Sequence, residues 1–252
     1  MKVGICIATY RRPDGLRALL DGLTRLVFPS GTMPEISVVV VDNDPSGPAR
    51  GICEAISTGF PFPLISLIEQ KPGISSARNR GIDAVVREVD VIAMIDDDEV
   101  PDPTWLDELI LARASYGAHI ILGRVCPLFP SDAPRWIVEG GFFQSVPART
   151  GSTTRAGGAG NCLMDARLFR EDGLRFDERY AQTGGEDSHL FWRAWQLGYA
   201  PVWTNKACVV ESIPMTRLRA RYLVRRDYRI GTVLARIDRD VAGSPLRLLR
   251  RM

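Results

Sequence analysis

Three consecutive aspartates, Asp96, Asp97 and Asp98, carry the clearest chemical signal in this sequence. They directly follow an apolar run, residues 91–95. Because side chains alternate along a strand, we expect Asp96 and Asp98 to point together and Asp97 to point away. Clustered carboxylates repel one another unless a cation offsets them, and their oxygens are ligands that Mg²⁺ and Mn²⁺ prefer. The pattern predicts a metal and phosphate site, or else an acidic turn that caps the following helix.

Two polar segments precede this run. The first, residues 9–13, reads Thr-Tyr-Arg-Arg-Pro and carries no glycine, so it fits neither a dinucleotide fingerprint nor a P-loop. The second, Asp42-Asn43-Asp44, closes a run of valines, and its carboxylates could accept a hydrogen bond from a base or a ribose. An ordinary turn is the alternative, because Asn and Asp favour turns by themselves.

A third polar segment, residues 71–79, passes through a turn at Gly73 into a predicted helix. The first turns of that helix carry Ser76, Arg78 and Asn79. Helix amino ends and arginine side chains both bind phosphate or nucleotide oxygens. The alternative is a helix cap with a surface arginine.

The tetrapeptide Gly184-Gly185-Glu186-Asp187 stands far downstream, directly before an aromatic helix. Its glycines would let the backbone approach a ligand closely. A carboxylate such as Asp187 can act as a general base when it lies within hydrogen-bonding reach of a hydroxyl. Acids in a first helical turn also stabilise the helix, so capping is the alternative, and the helix terminus would lower the pKa of Asp187.

The elements that must position these residues alternate regularly over the first hundred positions. Strands are predicted at residues 2–8, 36–41, 63–68 and 89–95, and helices at 13–23, 48–57 and 74–86. Continuous apolar strands alternating with helices predict an α/β fold with a mostly parallel, Rossmann-like sheet covered by helices on both faces. Ligands of such sheets bind at the carboxyl ends of strands, where Asp42 and Asp96 both fall.

The pattern changes after Pro101. Further elements are predicted as helices at 104–116 and 186–197, the latter ending at Gly198, and a strand at 119–125. Residues 126–151 are rich in proline, glycine and aromatics, which predicts a long ordered loop with a part in substrate binding. Within it Trp136 either stacks on a sugar ring or is buried. From Arg217 onward a basic amphipathic segment is typical of a solvated helix or of one that meets a membrane surface or phosphates.

Composition narrows the class of protein. The chain has 252 residues, 45% of them hydrophobic, which is enough for one large core or two fused lobes. A formal net charge of +2 gives no general attraction to nucleic acid. The five cysteines never form a CxxC pair and are predicted to be reduced residues of a cytosolic protein. With two histidines, a zinc site built on imidazole is disfavoured.

No apolar run approaches the roughly 18 residues that a membrane span needs, and the first residues resemble no export signal. We therefore expect a cytoplasmic protein. A peripheral contact at the inner face of the cell membrane, made by the basic carboxyl-terminal segment, is a further hypothesis.

Together these segments resemble glycosyltransferase family 2, the inverting nucleotide-sugar transferases with the GT-A fold, and in particular the branch found in succinoglycan and exopolysaccharide biosynthesis. The resemblance rests on these stretches in order: IATYRRP at 7–13, VVVDND at 39–44, KPGISSARNRG at 71–81, IDDDEVPDPTWL at 95–106, GGED at 184–187 and VVESIPMTR at 209–217. No single stretch is specific, but the combination is.

The resemblance implies roles for individual residues. Nucleotide-sugar binding is implied for Ala8, Thr9, Tyr10, Arg11, Asp42, Gly73, Arg78, Asp96 and Asp97. Asp98 is implied as the direct ligand of Mn²⁺ or Mg²⁺, with Asp96 and Glu211 as further ligands. Asp187 is implied as the catalytic base, and Gly185, Glu186 and Trp136 as acceptor contacts. Many GT-A enzymes place a histidine where Glu211 stands, so Glu211 is either its replacement or structural.

The function implied is metal-dependent, inverting transfer of a hexose from a nucleoside-diphosphate sugar, expected to be a UDP-sugar, to a hydroxyl of a glycan or of a polyprenyl-diphosphate-linked saccharide. The expected organisation is one GT-A domain with a nucleotide-sugar half (1–100), a fused acceptor half (101–213) and a basic helical end (214–252). Two alternatives are a sugar nucleotidyltransferase, disfavoured by the glycine-free loop at 9–13, and a catalytically idle module that binds glycan or acts as a scaffold.

Overall fold

The computed structural model describes residues 1–31, 33–144, 148–155 and 157–242. Part of the predicted loop at 126–151 and the last ten residues of the basic segment lie outside these ranges. The strands are β1 Lys2–Thr9, β2 Glu35–Asp42, β3 Leu64–Ile68, β4 Val91–Ile95, β5 Glu99–Pro101, β6 Ile120–Leu128, β7 Asn161–Asp165 and β8 Val202–Ser212. The helices are α1 Pro13–Thr24, α2 Pro48–Ile56, α3 Ile74–Val85, α4 Trp105–Tyr116, α5 Arg135–Glu139, α6 Arg167–Arg170, α7 Glu186–Gln196 and α8 Ala220–Ala242. Short 3₁₀ turns lie at Glu178–Tyr180 and Met215–Arg217.

The strands form one mixed sheet in the order β3-β2-β1-β4-β7-β6-β8-β5. The first four strands are parallel to one another, which is the pairing that alternating strands and helices predict. Beyond β4 the sheet continues through β7, which runs antiparallel to both β4 and β6, while β6 and β8 are parallel. The predicted mostly parallel sheet is therefore confirmed, with antiparallel strands in its second half.

Helices cover both faces of the sheet, as predicted. One apolar core packs α1, α2 and α4 against the sheet, with Leu16, Leu19 and Trp105 fully buried. The other packs α3, α6 and α7 against the opposite face, where Ile82 and Phe191 are fully buried. These two cores hold the carboxyl ends of the parallel strands at fixed positions, so side chains placed there are presented on a rigid edge.

Strands β5, β7 and β8 were not predicted from the sequence. Strand β5 has three residues, too few for a periodic pattern, and β7 is defined by pairing to β4, with Ile95 opposite Asn161. The loop predicted at 126–151 is partly regular, since β6 extends to Leu128 and α5 follows at Arg135–Glu139. Gly198 does follow α7 with a φ of +92°, the left-handed conformation of a helix end.

One prediction about the cysteines is wrong. Cys126 of β6 and Cys208 of β8 are joined as a disulfide, with Cα atoms 6.7 Å apart. The reason is the register of two neighbouring strands, which 82 residues of intervening sequence do not reveal. Cys6, Cys53 and Cys162 are free and buried, as predicted.

Helix α8 carries the basic amphipathic segment. Its Leu223, Val233 and Ile237 are buried against the protein, whereas Val224 and Tyr228 are 70% and 76% exposed. Among the described residues, no helix combines the length and the apolar character needed to cross a bilayer.

Candidate active site

The aspartate run turns a corner at the end of β4. The strand ends at Ile95, and the backbone N–H of Glu99 donates to the carbonyl oxygen of Asp96 at 3.1 Å. Because the chain turns here, the strict alternation predicted for the run does not hold. Asp97 and Asp98 share the guanidinium of Arg12, whereas Asp96 pairs with Arg78 on the other side.

Asp97 is the member of the run that joins β4 to the loop after β1. Thr9 Oγ1 donates to its carboxylate at 2.8 Å, and Arg12 Nη1 donates to its other oxygen at 2.8 Å. Asp97 is buried, and burial raises its pKa although Thr9 and Arg12 act in the opposite direction. This small network fixes the loop at 9–13 against the strand end.

A cavity of about 510 Å³ opens beside this network and is called here the β1–α3 cavity. Its lining is Ala8, Thr9, Tyr10, Arg12, Asn43, Pro45, Pro72, Gly73, Ile74, Ala77 and Asp97. Five of the predicted nucleotide-binding residues belong to this lining, namely Ala8, Thr9, Tyr10, Gly73 and Asp97. Tyr10 is 51% exposed at the cavity, and the guanidinium carbon of Arg11 lies 4.9 Å from the centroid of its ring. The size and the mixed apolar and polar lining suit a planar base with attached polar groups.

The structure places Asp42 and Arg11 outside the lining of this cavity. Asp42 is buried, and its two carboxylate oxygens accept the backbone N–H groups of Asp44 and Ala49 at 2.9 and 2.8 Å. It therefore stabilises the turn into α2, which is the alternative given above for this segment. Arg11 is paired with Asp44 at 2.6 Å on the exposed rim, with a left-handed φ of +55°.

Asn43 is a residue of this region that the analysis of the sequence did not single out. Its Nδ2 donates to the carbonyl oxygens of Glu69 and Lys71 at 2.9 and 2.8 Å, and its Oδ1 accepts the N–H of Gly73 at 2.7 Å. These three hydrogen bonds fix the wall of the cavity that precedes α3. Asn43 was visible as the middle residue of Asp-Asn-Asp, but its partners lie about thirty residues away and could not be read from the pattern.

Arg78 does not line the cavity. Its guanidinium, with the side chain 7% exposed, donates to Asp96 at 2.7 Å, to Glu186 at 3.1 Å and to Asp187. We call these four residues the Arg78 cluster. Burial alone would lower the pKa of Arg78, but the three carboxylates raise it. The cluster brings together residues predicted for three different tasks: nucleotide contact, metal ligation and acceptor chemistry.

The carboxylates of the cluster carry more negative charge than one arginine can offset. Burial, followed by the charge of Asp187, raises the pKa of Glu186 from 4.5 to about 7. Burial also raises the pKa of Asp187, against the lowering effect of Arg78. The pKa of Asp187 is therefore raised overall, because desolvation is the largest effect on it. Glu186 Oε2 is buried and, within the described part of the chain, accepts no hydrogen bond.

Asp187 faces a glycine-rich loop that the analysis of the sequence did not single out. A methyl group built on Gly158 would lie 3.8 Å from Asp187 Oδ2, in ordinary van der Waals contact, and the backbone N–H of Ala159 donates to the Asp187 carboxylate. At Gly160 a methyl group would lie 2.6 Å from Asp96 Oδ2, so a larger residue there would displace the Asp96 carboxylate. The signal was present as Gly157-Gly158-Ala159-Gly160, but it had no apparent partner.

The two glycines before Glu186 contact helix α8. A methyl group on Gly185, whose φ is +94°, would lie 2.0 Å from Val233, and one on Gly184 would lie 3.3 Å from Arg229. The close approach that these glycines permit on this side is therefore to another helix, and the acceptor contact of Gly185 stays a prediction. Helix α8 packs behind the turn that carries Glu186 and Asp187.

A second group of acids lies on the far side of the aspartate run. Arg217 donates to Glu211 at 2.7 Å and lies 3.6 Å from Asp98, while the backbone N–H of Asp96 donates to Glu99 at 3.1 Å. Burial raises the pKa of Glu99 and of Glu211, and in both cases nearby carboxylates add to the effect. The excess of negative charge is the electrostatic setting in which a divalent cation would be stabilised.

The acids predicted as metal ligands fit Mn²⁺ or Mg²⁺ in their chemistry, since Asp96, Asp98 and Glu211 all offer carboxylate oxygens. Arginines occupy them in the structure, and no three acidic, histidine or cysteine side chains in the described ranges are arranged as a metal site. Asp98 and Glu211 meet at Arg217, but Asp96 is turned to Arg78. Asp96, Asp98 and Glu211 could bind one cation together only if their ion pairs with Arg78 and Arg217 changed.

Trp136 lies on α5 and is 50% exposed, with its ring centroid 5.8 Å from that of Phe142. The alternative that it is a buried aromatic is therefore wrong. Phe142 is itself 40% exposed, so the two rings form an accessible aromatic surface of the kind on which sugar rings stack.

The fold and this arrangement of acids at the strand ends define the class of the protein. Residues 4–175 match the family described as Glycosyl transferase family 2, and the chain belongs to that family. The predicted family and the predicted class of enzyme, a glycosyltransferase, are confirmed.

Particular relatives agree with this assignment. The chain is 30% identical over 235 residues to the succinoglycan biosynthesis protein ExoM of Rhizobium meliloti (strain 1021), covering 93% of this chain and 74% of that protein. The fold is similar to that of S. aureus TarS 1-349 in complex with UDP, with a TM-score of 0.63 and 17% identity over 84% of this chain. It is also similar to the mannosyltransferase PcManGT from Pyrobaculum calidifontis in complex with GDP-Man and Mn²⁺, with a TM-score of 0.67 and 18% identity over 94% of this chain. This chain spans 61% and 64% of those two solved chains. The likeness establishes the GT-A fold.

Proposed function

We propose that this protein transfers a hexose from a nucleoside-diphosphate sugar, a UDP-sugar, to a hydroxyl of a glycan or polyprenyl-diphosphate-linked saccharide in polysaccharide biosynthesis. The observation that carries the proposal is the continuity of the aspartate run. Asp97 lines the β1–α3 cavity, and its neighbour Asp96 belongs to the cluster that contains Asp187. A donor bound in the cavity would thus place its sugar near Asp96, which shares Arg78 with the proposed base, Asp187.

The donor side of the site is assigned to residues 1–100 and the acceptor side to residues 101–213. Tyr10, Thr9, Gly73 and Asn43 border the cavity and would surround the nucleoside. Two neighbours in fold support a nucleotide there, since one is described in complex with UDP and the other with GDP-Man. A UDP-sugar follows from the resemblance of the motifs to family 2.

On the acceptor side, Asp187 would accept the proton of the attacking hydroxyl at Oδ2, the oxygen that faces Gly158 and is not bound by Arg78. The bond from the anomeric carbon to the acceptor oxygen forms as the bond to the diphosphate breaks, and one such displacement inverts the anomeric centre. The raised pKa of Asp187 makes it a stronger base than an exposed aspartate. The aromatic surface of Trp136 and Phe142 would receive a sugar ring of the acceptor.

Mn²⁺ or Mg²⁺ is proposed as the cofactor, with Asp98 as its main ligand and Asp96 and Glu211 beside it. When bound, such a cation offsets the negative charge that develops on the departing diphosphate. Arg217 and Arg12, both paired with Asp98, are the cations of this chain that lie nearest to the same place. The Mn²⁺ described with PcManGT supports a divalent cation in this fold.

A screen of nucleotide sugars tests the proposal. Each of UDP-glucose, UDP-galactose, UDP-GlcNAc and GDP-mannose is added with Mn²⁺, with Mg²⁺ or with EDTA, and thermal stabilisation and donor hydrolysis are both measured. We expect one UDP-sugar to raise Tm and to be hydrolysed only with metal. Stabilisation by GDP-mannose alone would overturn the choice of UDP. Failure of all four donors to bind or react would contradict a nucleotide-sugar site.

We also propose a peripheral membrane contact at the cytoplasmic face through α8. The exposed Val224 and Tyr228 stand on a helix rich in arginine, which includes Arg221, Arg225 and Arg229. Such a surface suits anionic headgroups and shallow apolar insertion. In flotation with vesicles of phosphatidylglycerol and phosphatidylcholine, binding that is lost at high salt is expected. Equal recovery with neutral and anionic vesicles would contradict the electrostatic contact.

A further inference from the structure

Arg78 stands in an unexpected place for a residue of the nucleotide-binding motif. It belongs to α3, directly beyond the wall of the β1–α3 cavity, yet its side chain points away from that cavity. Its three partners come from the end of β4 and from the first turn of α7, at sequence separations of 18, 108 and 109 residues. One side chain therefore ties three distant parts of the chain together.

The chemistry of arginine explains how one residue can do this. The planar guanidinium presents five N–H donors in a fixed fork, so Nη1 serves Glu186 and Asp187 while Nη2 serves Asp96 at the same time. The carbon at its centre also lies 5.3 Å from the ring centroid of Phe176, a cation–π contact. A lysine at this position would keep one charge but would lose the fork and the flat stacking face.

The ring beneath the guanidinium is itself held from α3. Asn79 Nδ2 donates to the carbonyl oxygen of Phe176 at 2.9 Å, and Asn79 Oδ1 accepts the N–H of Phe176 at 2.9 Å. The adjacent residues Arg78 and Asn79 thus fix both the carboxylates above and the aromatic ring below. The orientation of the guanidinium is set by packing as well as by its charges.

We infer that Arg78 is a positioning residue for Asp187 and not a ligand of the nucleotide. It binds Asp187 Oδ1, which fixes the carboxylate and leaves Oδ2, the oxygen that faces Gly158, as the one to receive the proton of the acceptor hydroxyl. It also places one positive charge among the three carboxylates of the cluster, which holds Asp96, Glu186 and Asp187 close to one another. The inference rests on the proposed role of Asp187 as base in sugar transfer.

The test separates nucleotide binding from turnover. Arg78→Met and Arg78→Lys are compared with Arg80→Gln, an exposed arginine of the same helix. Binding of UDP and, in parallel, of GDP with Mn²⁺ is measured by calorimetry, and transfer is measured with the nucleotide sugar that the donor screen selects. We expect Arg78→Met to lower kcat by about 100-fold while the nucleotide Kd changes less than about 3-fold. Arg78→Lys should recover part of kcat, and Arg80→Gln should match the wild type in both measurements.

A double-mutant cycle distinguishes positioning from a general structural role. If Arg78 acts through Asp187, then Arg78→Lys should cost about 10-fold in kcat in the wild type and less than about 2-fold in the Asp187→Asn background. Additive losses would overturn the inference. An increase of more than about 10-fold in the nucleotide Kd of Arg78→Lys would also overturn it. Arg78→Lys keeps a charge in the cluster, so it serves as the test variant if Arg78→Met does not fold. Wild-type turnover in Asp187→Asn would instead refute the proposed base, irrespective of Arg78.

Discussion

The β1–α3 cavity and the Arg78 cluster lie on either side of one aspartate run and are built in opposite ways. The cavity is open, and its walls are held mainly by backbone groups that Asn43 binds and by the contact of Thr9 with Asp97. The cluster is packed, and its members are charges that bind one another, with Arg78 and Glu186 almost fully buried.

This difference indicates different demands on the two regions. A site that receives a whole nucleoside needs a preformed volume, which the hydrogen bonds of Asn43 and the contacts of Thr9 and Arg12 with Asp97 keep open. A site that moves a proton needs one group held in a fixed direction and in a definite charge state, which a buried network of unlike charges supplies. Substitutions in the two regions should therefore damage binding and chemistry separately.

The largest effect is expected from Asp187→Asn. The amide cannot accept the proton of the hydroxyl, so transfer should fall by roughly 1,000-fold or more, while UDP binding in the cavity stays within a few-fold of the wild type. Single-turnover transfer and calorimetry measure the two quantities. Retained activity in the Asn variant would remove Asp187 from the role of base. An equal loss of UDP binding would show that the two regions are not separate.

Asp98→Ala should come next, with kcat reduced by about 100-fold in Mn²⁺. Asp98 has no partner in the cluster, and its contacts are Arg12 and Arg217. The second readout is binding of Mn²⁺ to the protein with UDP present, followed by electron paramagnetic resonance. Glu211→Gln is the matched variant, because Glu211 shares Arg217 with Asp98. Normal Mn²⁺ binding in Asp98→Ala would exclude it as the main ligand.

Local pattern was enough to predict the parallel half of the fold and the residues that end its strands. The runs 2–8 and 36–41 became β1 and β2 in the predicted order, and the aspartate run stands directly after β4 as expected. These features depend on periodicity and on short-range turns, which a sequence displays directly.

The hydrogen-bond partners of the site residues could not be predicted from local pattern. Asp42 and Arg78 both occur in recognisable motifs. Asp42 accepts backbone N–H groups of its own turn. Arg78 binds three acids, two of which lie more than a hundred residues downstream. The direction of a side chain depends on the turn after its strand and on packing between distant segments. For the same reason Asn43 and Gly160 were missed, although their residue types were in plain view.

Asn43→Ala tests the cavity in the way that Asp187→Asn tests the cluster. It removes three hydrogen bonds that hold the wall before Gly73, so the Kd for UDP should rise by about 10-fold with little change in kcat at saturating donor. Asn79→Ala is the matched control on the other side, because Asn79 also binds backbone groups but holds Phe176 beneath Arg78. It should lower kcat more than it changes Kd. If Asn43→Ala lowered mainly kcat and Asn79→Ala changed mainly Kd, the separation of nucleotide binding from chemistry would be contradicted.

The smallest effect on turnover is expected from Glu186→Gln, whose main effect is on stability as a function of pH. The pKa of Glu186 is raised from 4.5 in the unfolded chain to about 7 in the folded protein. Between these values the folded protein holds a proton that the unfolded chain has released, so this group stabilises the fold below about pH 4.5 and loses that contribution as the pH rises through 7. Glutamine does not ionise, so relative to the wild type the variant should gain roughly 3 kcal/mol at pH 8 and less than about 1 kcal/mol at pH 5. Denaturant unfolding at the two pH values measures the difference, and an offset that is the same at both would show that Glu186 is ionised in the folded protein throughout.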